Sequence, residues 1–177
     1  MNKNLTLKVI PKDQLDRQER AAIIDLCSQA YDEDYAPFFE TFKGAVHILG
    51  IFEGELASHA LWITRWLQVG NGPQLRTAYV EAVATDKKYR SRGFATAVME
   101  RLAKEITDFE IGALCPAETS LYARLGWVFW QGPLFHRKAG DLIPDPEERV
   151  MIFRLPKTPV LDMSQPISVE WREGEVW

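Results

Sequence analysis

The chain has 177 residues, enough for one domain with a real core, and its 46% hydrophobic and 26% charged residues are ordinary proportions for a soluble globular protein. A formal net charge of −4 with no long basic stripe argues against a nucleic-acid binder, and no apolar run approaches the ~20 residues of a membrane span. The opening Met1–Thr6 lacks the apolar core of a secretory leader, and the two cysteines, Cys27 and Cys115, read as reduced thiols, so a cytoplasmic protein is expected.

Leu5 to Ile10 alternates like an edge strand. Gln14 to Ala30 reads as a helix, with Ile23, Ile24, Cys27 and Ala30 recurring at helical spacing. Asp32 to Phe42 is an acidic and aromatic loop with a short helix after Pro37. Val46–Phe52 and Leu56–Val69 are strands joined by the turn Glu53-Gly54-Glu55. Asn71-Gly72-Pro73 breaks the chain, and Gln74–Thr85 returns as a long strand. A helix beginning near Gly93 follows, then a strand over Ile111–Leu114, a helix around Thr119–Leu125, and strands near Trp127–Gln131 and Val150–Leu155. There is no internal repeat or linker, so residues 1–177 are expected to form a single α+β (mixed α/β) domain around one central sheet.

The junction from Val80 to Ile106 carries the most information. An apolar strand ending at Thr85 leads into a basic turn, Arg90-Ser91-Arg92-Gly93-Phe94-Ala95, and then into an amphipathic helix with Phe94, Ala95, Val98, Leu102 and Ile106 on one face. The first N–H groups of a helix have no intrahelical partner, so such a turn can receive an anion. Gly93 allows close approach of a phosphate, and Lys87, Lys88, Arg90 and Arg92 concentrate positive charge in an otherwise acidic chain. The bland alternative is a solvated basic loop that caps an ordinary helix.

The pattern Arg90-x-x-Gly93-x-Ala95 at a strand–helix junction resembles the acetyl-coenzyme A signature of the GCN5-related N-acetyltransferases (GNAT). Four segments extend the resemblance to the aminoglycoside 2′-N-acetyltransferases, bacterial antibiotic-modifying enzymes. They are Ala30–Tyr35, Tyr79-Val80-Glu81, Leu121-Tyr122 through Gly126-Trp127 to Trp130-Gln131-Gly132-Pro133, and Glu170–Trp177. Departures occur at Ala82, where some members are expected to carry Gly, and at Glu147-Glu148, where aspartates are expected.

The resemblance implies a GNAT-like single domain, with a central mixed, mostly antiparallel sheet splayed between its fourth and fifth strands and flanked by helices. It places the pantetheine of acetyl-CoA along Val83, Ala84 and Thr85, and the pyrophosphate on the amides of Arg90, Ser91, Arg92, Gly93, Phe94 and Ala95. It implies Asp34, Glu81, Ala82, Glu147, Glu148 and Trp177 as contacts to the acceptor. Two large apolar rings in the last eight residues favour burial, so Trp171 and Trp177 are expected to dock the tail beside the acceptor cleft, with the Trp177 carboxylate accepting from a substrate ammonium.

Charge supports a polycationic amine substrate independently, since Asp32, Glu33, Asp34, Glu81, Glu147, Glu148, Glu173 and Glu175 would attract and orient one. Trp127, Trp130, Trp171, Trp177 and Tyr35 could line walls for sugar rings, although tryptophans such as Trp127 and Trp130 more often belong to a core. Amine acetylation needs a base and a proton donor. Glu81 is the candidate base, acting through a water, and Tyr122 is the candidate donor to the departing thiolate, with an amide near Val83 polarising the carbonyl. Against these stand a buried strand carboxylate and a helix aromatic packed on the core. Acetylation of another small amine or an atypical aminoglycoside, and a non-catalytic acetyl-CoA-binding domain, remain alternatives. No metal site is expected, because His47, His59 and His136 are scattered, and a homodimer is one assembly left open.

Overall fold

The first helix begins where an acidic side chain can cap it. Asp16 accepts a hydrogen bond from the Glu19 amide while Glu19 reaches back to the Asp16 amide, so α1 spans Arg17–Tyr31, three residues later than the apolar periodicity suggests. The computed structural model describes residues 4–177; the expectation for the chain's opening falls partly on Met1–Lys3, outside the described residues. Among the described residues no helix is long and apolar enough to cross a membrane. Residue contacts divide the chain into two compact units, the first made of the chain up to Ile63 with Val80–Glu105, the second of Thr64–Tyr79 with Ile106–Trp177.

In the first unit β1 (Leu5–Pro11) pairs antiparallel with β2 (Val46–Phe52), in register from Leu5↔Phe52 to Pro11↔Val46. β2 in turn pairs antiparallel with the beginning of β3 (Glu55–Val69). Their connection places Glu53 at φ 52° and Gly54 at φ 84°, the left-handed pair that a two-residue hairpin needs. The short α2 (Ala36–Thr41) carries Pro37 in its first turn, as expected. The later half of β4 (Gln74–Thr85) lies beside β3, where Ser58 Oγ donates to the Ala84 carbonyl at 3.1 Å and the Asp86 amide to the Ala57 carbonyl at 2.9 Å. α3 (Phe94–Glu105) buries Phe94, Val98, Met99 and Leu102 and packs on β1 and β2.

In the second unit the remaining parts of β3 and β4 form a hairpin. β5 (Ile111–Leu114) runs parallel to β4 over only three pairs, Thr77↔Ile111 to Tyr79↔Ala113, while β4 itself continues six residues further. The helix α4 (Ser120–Arg124) precedes β6 (Val128–Phe129), which is two residues long rather than the expected five. Beyond it come β7 (Leu134–Lys138), β8 (Asp141–Pro144), β9 (Met151–Arg154) and β10 (Ile167–Glu170), giving the order β6-β9-β5-β4-β3-β10-β7-β8. β7, β8 and β10 were not foreseen from the sequence. β10 lies parallel to β7 and antiparallel to β3, so the chain's last strand sits inside the sheet.

The segment before β10 is held by Trp130–Pro133. Trp130 Nε1 donates to the Gln165 carbonyl at 2.8 Å, and the Gln131 and Gly132 amides donate to the Met163 carbonyl. A Cβ on Gly132 would stand 2.0 Å from the Gln165 oxygen, so backbone rather than a yielding side chain blocks any larger residue. Gly132→Ala should therefore destabilise the protein by about 3 kcal/mol or more, a cost typical of severe overpacking. Urea denaturation checks this; a loss below about 0.5 kcal/mol would mean that the two segments can part freely.

Candidate active site

The basic junction in the first unit fits an anionic phosphate chain. The Ala97 amide bonds to the Gly93 carbonyl at 3.0 Å, so Gly93 is the cap of α3 and the amides of Phe94, Ala95 and Thr96 form its open first turn. Gly93 sits at φ +77° with no atom within 4 Å of where its Cβ would be. The left-handed backbone, rather than crowding, is what demands glycine there, and the open space leaves room for a ligand. Arg90, Ser91 and Arg92 are exposed, whereas the Phe94 side chain is buried against Ala57, Tyr89, Leu5 and Phe52, so Phe94 can contribute only its amide.

The four cations are not equivalent. Lys88 pairs with Glu55 at 2.5 Å, and the Arg92 guanidinium lies over the Phe52 and Tyr89 rings at 5.6 and 5.4 Å. Lys87 and Arg90 are exposed beside them.

On β4, Glu81, Val83 and Thr85 are half-buried, and Ala82 and Ala84 are buried. Two of the carbonyls in this stretch accept side-chain hydrogen bonds. Tyr31 Oη donates to the Val83 carbonyl at 3.1 Å, and Ser58 Oγ occupies the Ala84 carbonyl. Ala82 adopts φ +55°, a left-handed residue in the interior of a strand, and its carbonyl is aimed inward at His59 Nδ1, 2.8 Å away. The Ala82 carbonyl thus accepts a core hydrogen bond.

Sequence reading left the partner of that bond without a role. His59 and His47 are wholly buried, 0% exposed, with His47 Nδ1 2.9 Å from His59 Nε2. A carbonyl can only accept, so His59 carries its proton on Nδ1, and His47 Nδ1–H must donate to His59 Nε2. Burial holds both imidazoles neutral, lowering His59 to about 4 and His47 to about 3, the latter also through His59 and Lys12. Cys27 Sγ lies 3.9 Å from His59 Nδ1, and burial lifts its thiol to about 12, so it is an inert neighbour. Asp34 is exposed in the same unit, and its Oδ1 accepts from the Ala36 amide at 3.1 Å in the turn that leads into α2.

The second unit contains a cleft of about 590 Å³ lined by Cys115, Asp145, Glu147, Glu148, Glu175 and Trp177, with Arg149 as the one cation among its lining residues. Glu147 and Glu148 fall here and are exposed; Glu148 accepts from the Cys115 thiol at 3.1 Å. Trp177 is buried, 5% exposed, and its indole Nε1 donates to Asp145 Oδ2 at 2.7 Å. His136 Nδ1 donates to the same carboxylate at 2.9 Å. Asp145 and His136 were not singled out from the sequence, where nothing distinguishes Asp145 from its acidic neighbours.

Of the two tryptophans expected to dock the tail, Trp177 is buried and Trp171 is not. Trp171 is 42% exposed, with the Lys138 ammonium 4.1 Å from its ring centre, because the backbone at Glu170–Trp171 is fixed in the sheet and turns that side chain outward. The anchor is Arg65, 2% exposed, whose guanidinium donates to Glu170 Oε1 at 3.1 Å and to the Glu170 and Val176 carbonyls. Trp127 and Trp130 are core residues, and Tyr35, in the first unit, is buried among Tyr31, Phe38 and Phe42. Tyr122 is buried on α4, edge-on to Trp127 at 6.3 Å, and desolvation raises its phenol to about 12. It is a group that keeps its proton at neutral pH.

These elements match a known family. The family model of the acetyltransferase (GNAT) domain matches residues 13–129, and the chain belongs to that family. The aminoglycoside 2′-N-acetyltransferase of Mycolicibacterium fortuitum is 30% identical over 180 residues, covering 97% of this chain and 92% of that one. Among solved structures, the GNAT family N-acetyltransferase YhbS of Escherichia coli in complex with CoA is similar with a TM-score of 0.67 at 16% identity, over 96% of this chain and 91% of its own. A GNAT family acetyltransferase of Elizabethkingia anophelis with acetyl-CoA bound has a TM-score of 0.56 at 12% identity, over 86% of this chain and 99% of its own. The GCN5-related N-acetyltransferase of Kribbella flavida has a TM-score of 0.60 at 20% identity over 73% of this chain, and the match spans about a third, 34%, of that longer protein.

The buried histidines predict a pH dependence of stability. Folding lowers both below the ordinary 6.5, so between 6.5 and about 4 the unfolded chain binds more protons than the folded one, and stability falls as pH falls through that window. For His59 alone the loss between pH 6.5 and 5 is about 2 kcal/mol, at 1.36 kcal/mol per unit. Urea unfolding at pH 7 and pH 5 measures it, and His47→Phe should flatten the slope. An unchanged slope in that variant would mean that His47 is solvated and titrates normally.

Proposed function

We propose that the protein is an acetyl-CoA-dependent N-acetyltransferase that acetylates an amine of an aminoglycoside antibiotic, the 2′-amine, by direct transfer. The observation that carries this reading is the cleft of the second unit, where four carboxylates, Asp145, Glu147, Glu148 and Glu175, face a single cation beside the Trp177 ring. In a chain of an acetyltransferase family, such a cleft suits a polycationic amine, which carboxylates attract at a distance and orient by charge-assisted hydrogen bonds. The likeness to the Mycolicibacterium fortuitum enzyme supports the antibiotic class. Asp34 is proposed as a further ammonium contact.

For the cosubstrate, the open amides of Phe94 and Ala95, the Gly93 turn and the side chains of Arg90, Ser91 and Arg92 would hold the phosphates, and Val83–Thr85 the pantetheine arm. Bound acetyl-CoA supplies the acetyl group as an activated thioester. The acceptor amine is mostly ammonium near neutrality, with a pKa of about 8 or higher, and Glu81 takes its proton through a water. The Val83 amide donates to the oxygen on which negative charge develops. Tyr122, protonated at working pH, passes its proton to the sulfur as the carbon–sulfur bond breaks and the carbon–nitrogen bond forms.

A thiol-release assay with an acceptor panel tests this. Aminoglycosides with a 2′-amine, of the gentamicin or tobramycin type, should be turned over, while a 2′-hydroxyl compound of the kanamycin A type should give only the background rate. With a good acceptor, Glu81→Gln should lower turnover and flatten its rise between pH 6 and about 8. Equal turnover of both acceptor types would remove the 2′ assignment, and a wild-type pH profile in Glu81→Gln would remove the base.

A further inference from the structure

We infer that His59, oriented by His47, is a positioning residue that aims the Val83 amide outward from the first unit's core; the inference rests on the proposed reaction, in which that amide polarises the thioester carbonyl. The argument starts from the peptide between Ala82 and Val83. A trans peptide is planar, and its C=O and N–H point in opposite directions. The Ala82 carbonyl is drawn inward by His59 Nδ1 at 2.8 Å. The N–H of Val83, in the same plane, is therefore turned away from the histidines. One buried hydrogen bond fixes the direction of a group on the other side of the strand.

Three further observations support a dedicated device. Ala82 is held at φ +55°, a conformation that an L-residue other than Gly, Asn or Asp seldom adopts, so something must compensate for it. Two fully buried imidazoles form an unusual filling for a core that apolar side chains would occupy more cheaply. The pair is also set in one tautomer: His47 Nδ1–H donates to His59 Nε2, leaving the Nδ1 proton of His59 for Ala82. His47 Nε2 is then a bare acceptor, and among the described residues it has no hydrogen-bond partner. The groups facing the pair are Cys27 from α1, the Phe39 ring from α2 stacked on His47 at 5.7 Å, and Lys12, whose ammonium lies 4.5 Å from the Phe39 ring centre. None of them supplies a second strong donor to the Ala82 carbonyl.

The test compares three substitutions by two readouts. The amide of Asn can replace Nδ1–H of histidine, whereas that of Gln reaches the Nε2 position. His59→Leu removes the donor. Backbone 15N NMR of the unliganded protein reads the Val83 amide directly, and steady-state kinetics with calorimetric CoA binding reads the consequence. In His59→Leu the Val83 amide resonance should shift, kcat should fall by about 10- to 100-fold, as when an oxyanion donor is misaimed, and CoA affinity should stay within about twofold. His59→Asn should restore the wild-type resonance and most of kcat, while His59→Gln should not. Should His59→Leu fail to fold, the Asn and Gln variants alone decide. An unchanged Val83 amide in a folded His59→Leu or His59→Gln overturns the inference, as does an Asn variant no better than Gln. A wild-type protein inactive with every amine would defeat the proposed reaction instead, while the NMR comparison would still decide the placement of the amide.

Discussion

One left-handed residue inside a strand governs the first unit. A strand with Ala82 at φ +55° cannot present alternating groups regularly along its length, and its carbonyl has to find a donor off the ladder. His59 supplies that donor from within β3, and His47 on β2 supplies the tautomer. Three strands are thereby tied through side chains at the level of Glu81–Val83. The same strand then runs into the basic turn, where left-handed Ser91 and Gly93 redirect the chain into α3 with its first amides open. Position 82 also explains a departure within the family resemblance. Glycine would reach this conformation without strain, and alanine reaches it here with a buried donor to hold it.

The second unit solves a different problem, how to gather carboxylates without the chain moving apart. Asp145, Glu147, Glu148 and Glu175 repel one another, so the cleft needs a rigid frame. Arg65 provides part of it, binding both ends of the last eight residues through the Glu170 side chain, the Glu170 carbonyl and the Val176 carbonyl. Desolvation lowers its pKa and Glu170 raises it, so the guanidinium is retained in the interior by its partner. Arg137 adds bonds to Ser168 and to the Trp66 carbonyl. At the other end the Trp177 indole and His136 share the Asp145 carboxylate, which leaves Glu147, Glu148 and Glu175 as the exposed acids of the cleft.

The parts legible in the sequence are those specified over short distances. Glu53-Gly54 marked a hairpin, Pro37 a helix start, and the run from Thr85 to Ala95 a strand–turn–helix junction, because turn chemistry is written in adjacent residues. The start of α1 was misplaced because Asp16 and Glu19 compete with apolar periodicity, and the capping pair wins. β7 and β10 escaped notice because Leu134–Lys138 and Ile167–Glu170 find each other in parallel across some thirty residues, with no local turn to announce them. The same holds for the chemistry. Glu81, the Gly93 turn and the acidic pair Glu147-Glu148 could be picked out by type and setting. Arg65, Asp145 and the two histidines act only through partners distant in sequence, and a lone arginine or histidine in a strand carries no sign of its partner. The tryptophans show the converse, since composition alone could not separate Trp177, held in the cleft, from Trp171, turned outward.

The central claim is that the protein transfers an acetyl group directly to one particular nitrogen of a polycationic sugar. The position of the acetyl group on the product tests it most directly. With 13C-labelled acetyl-CoA and an aminoglycoside carrying several amines, two-dimensional NMR of the isolated product correlates the new amide with the sugar proton on the acylated carbon. The account predicts a single mono-acetylated product joined at the 2′ nitrogen, with no label left on the protein. Acetyl spread over several nitrogens, or placed on a different one, would contradict it.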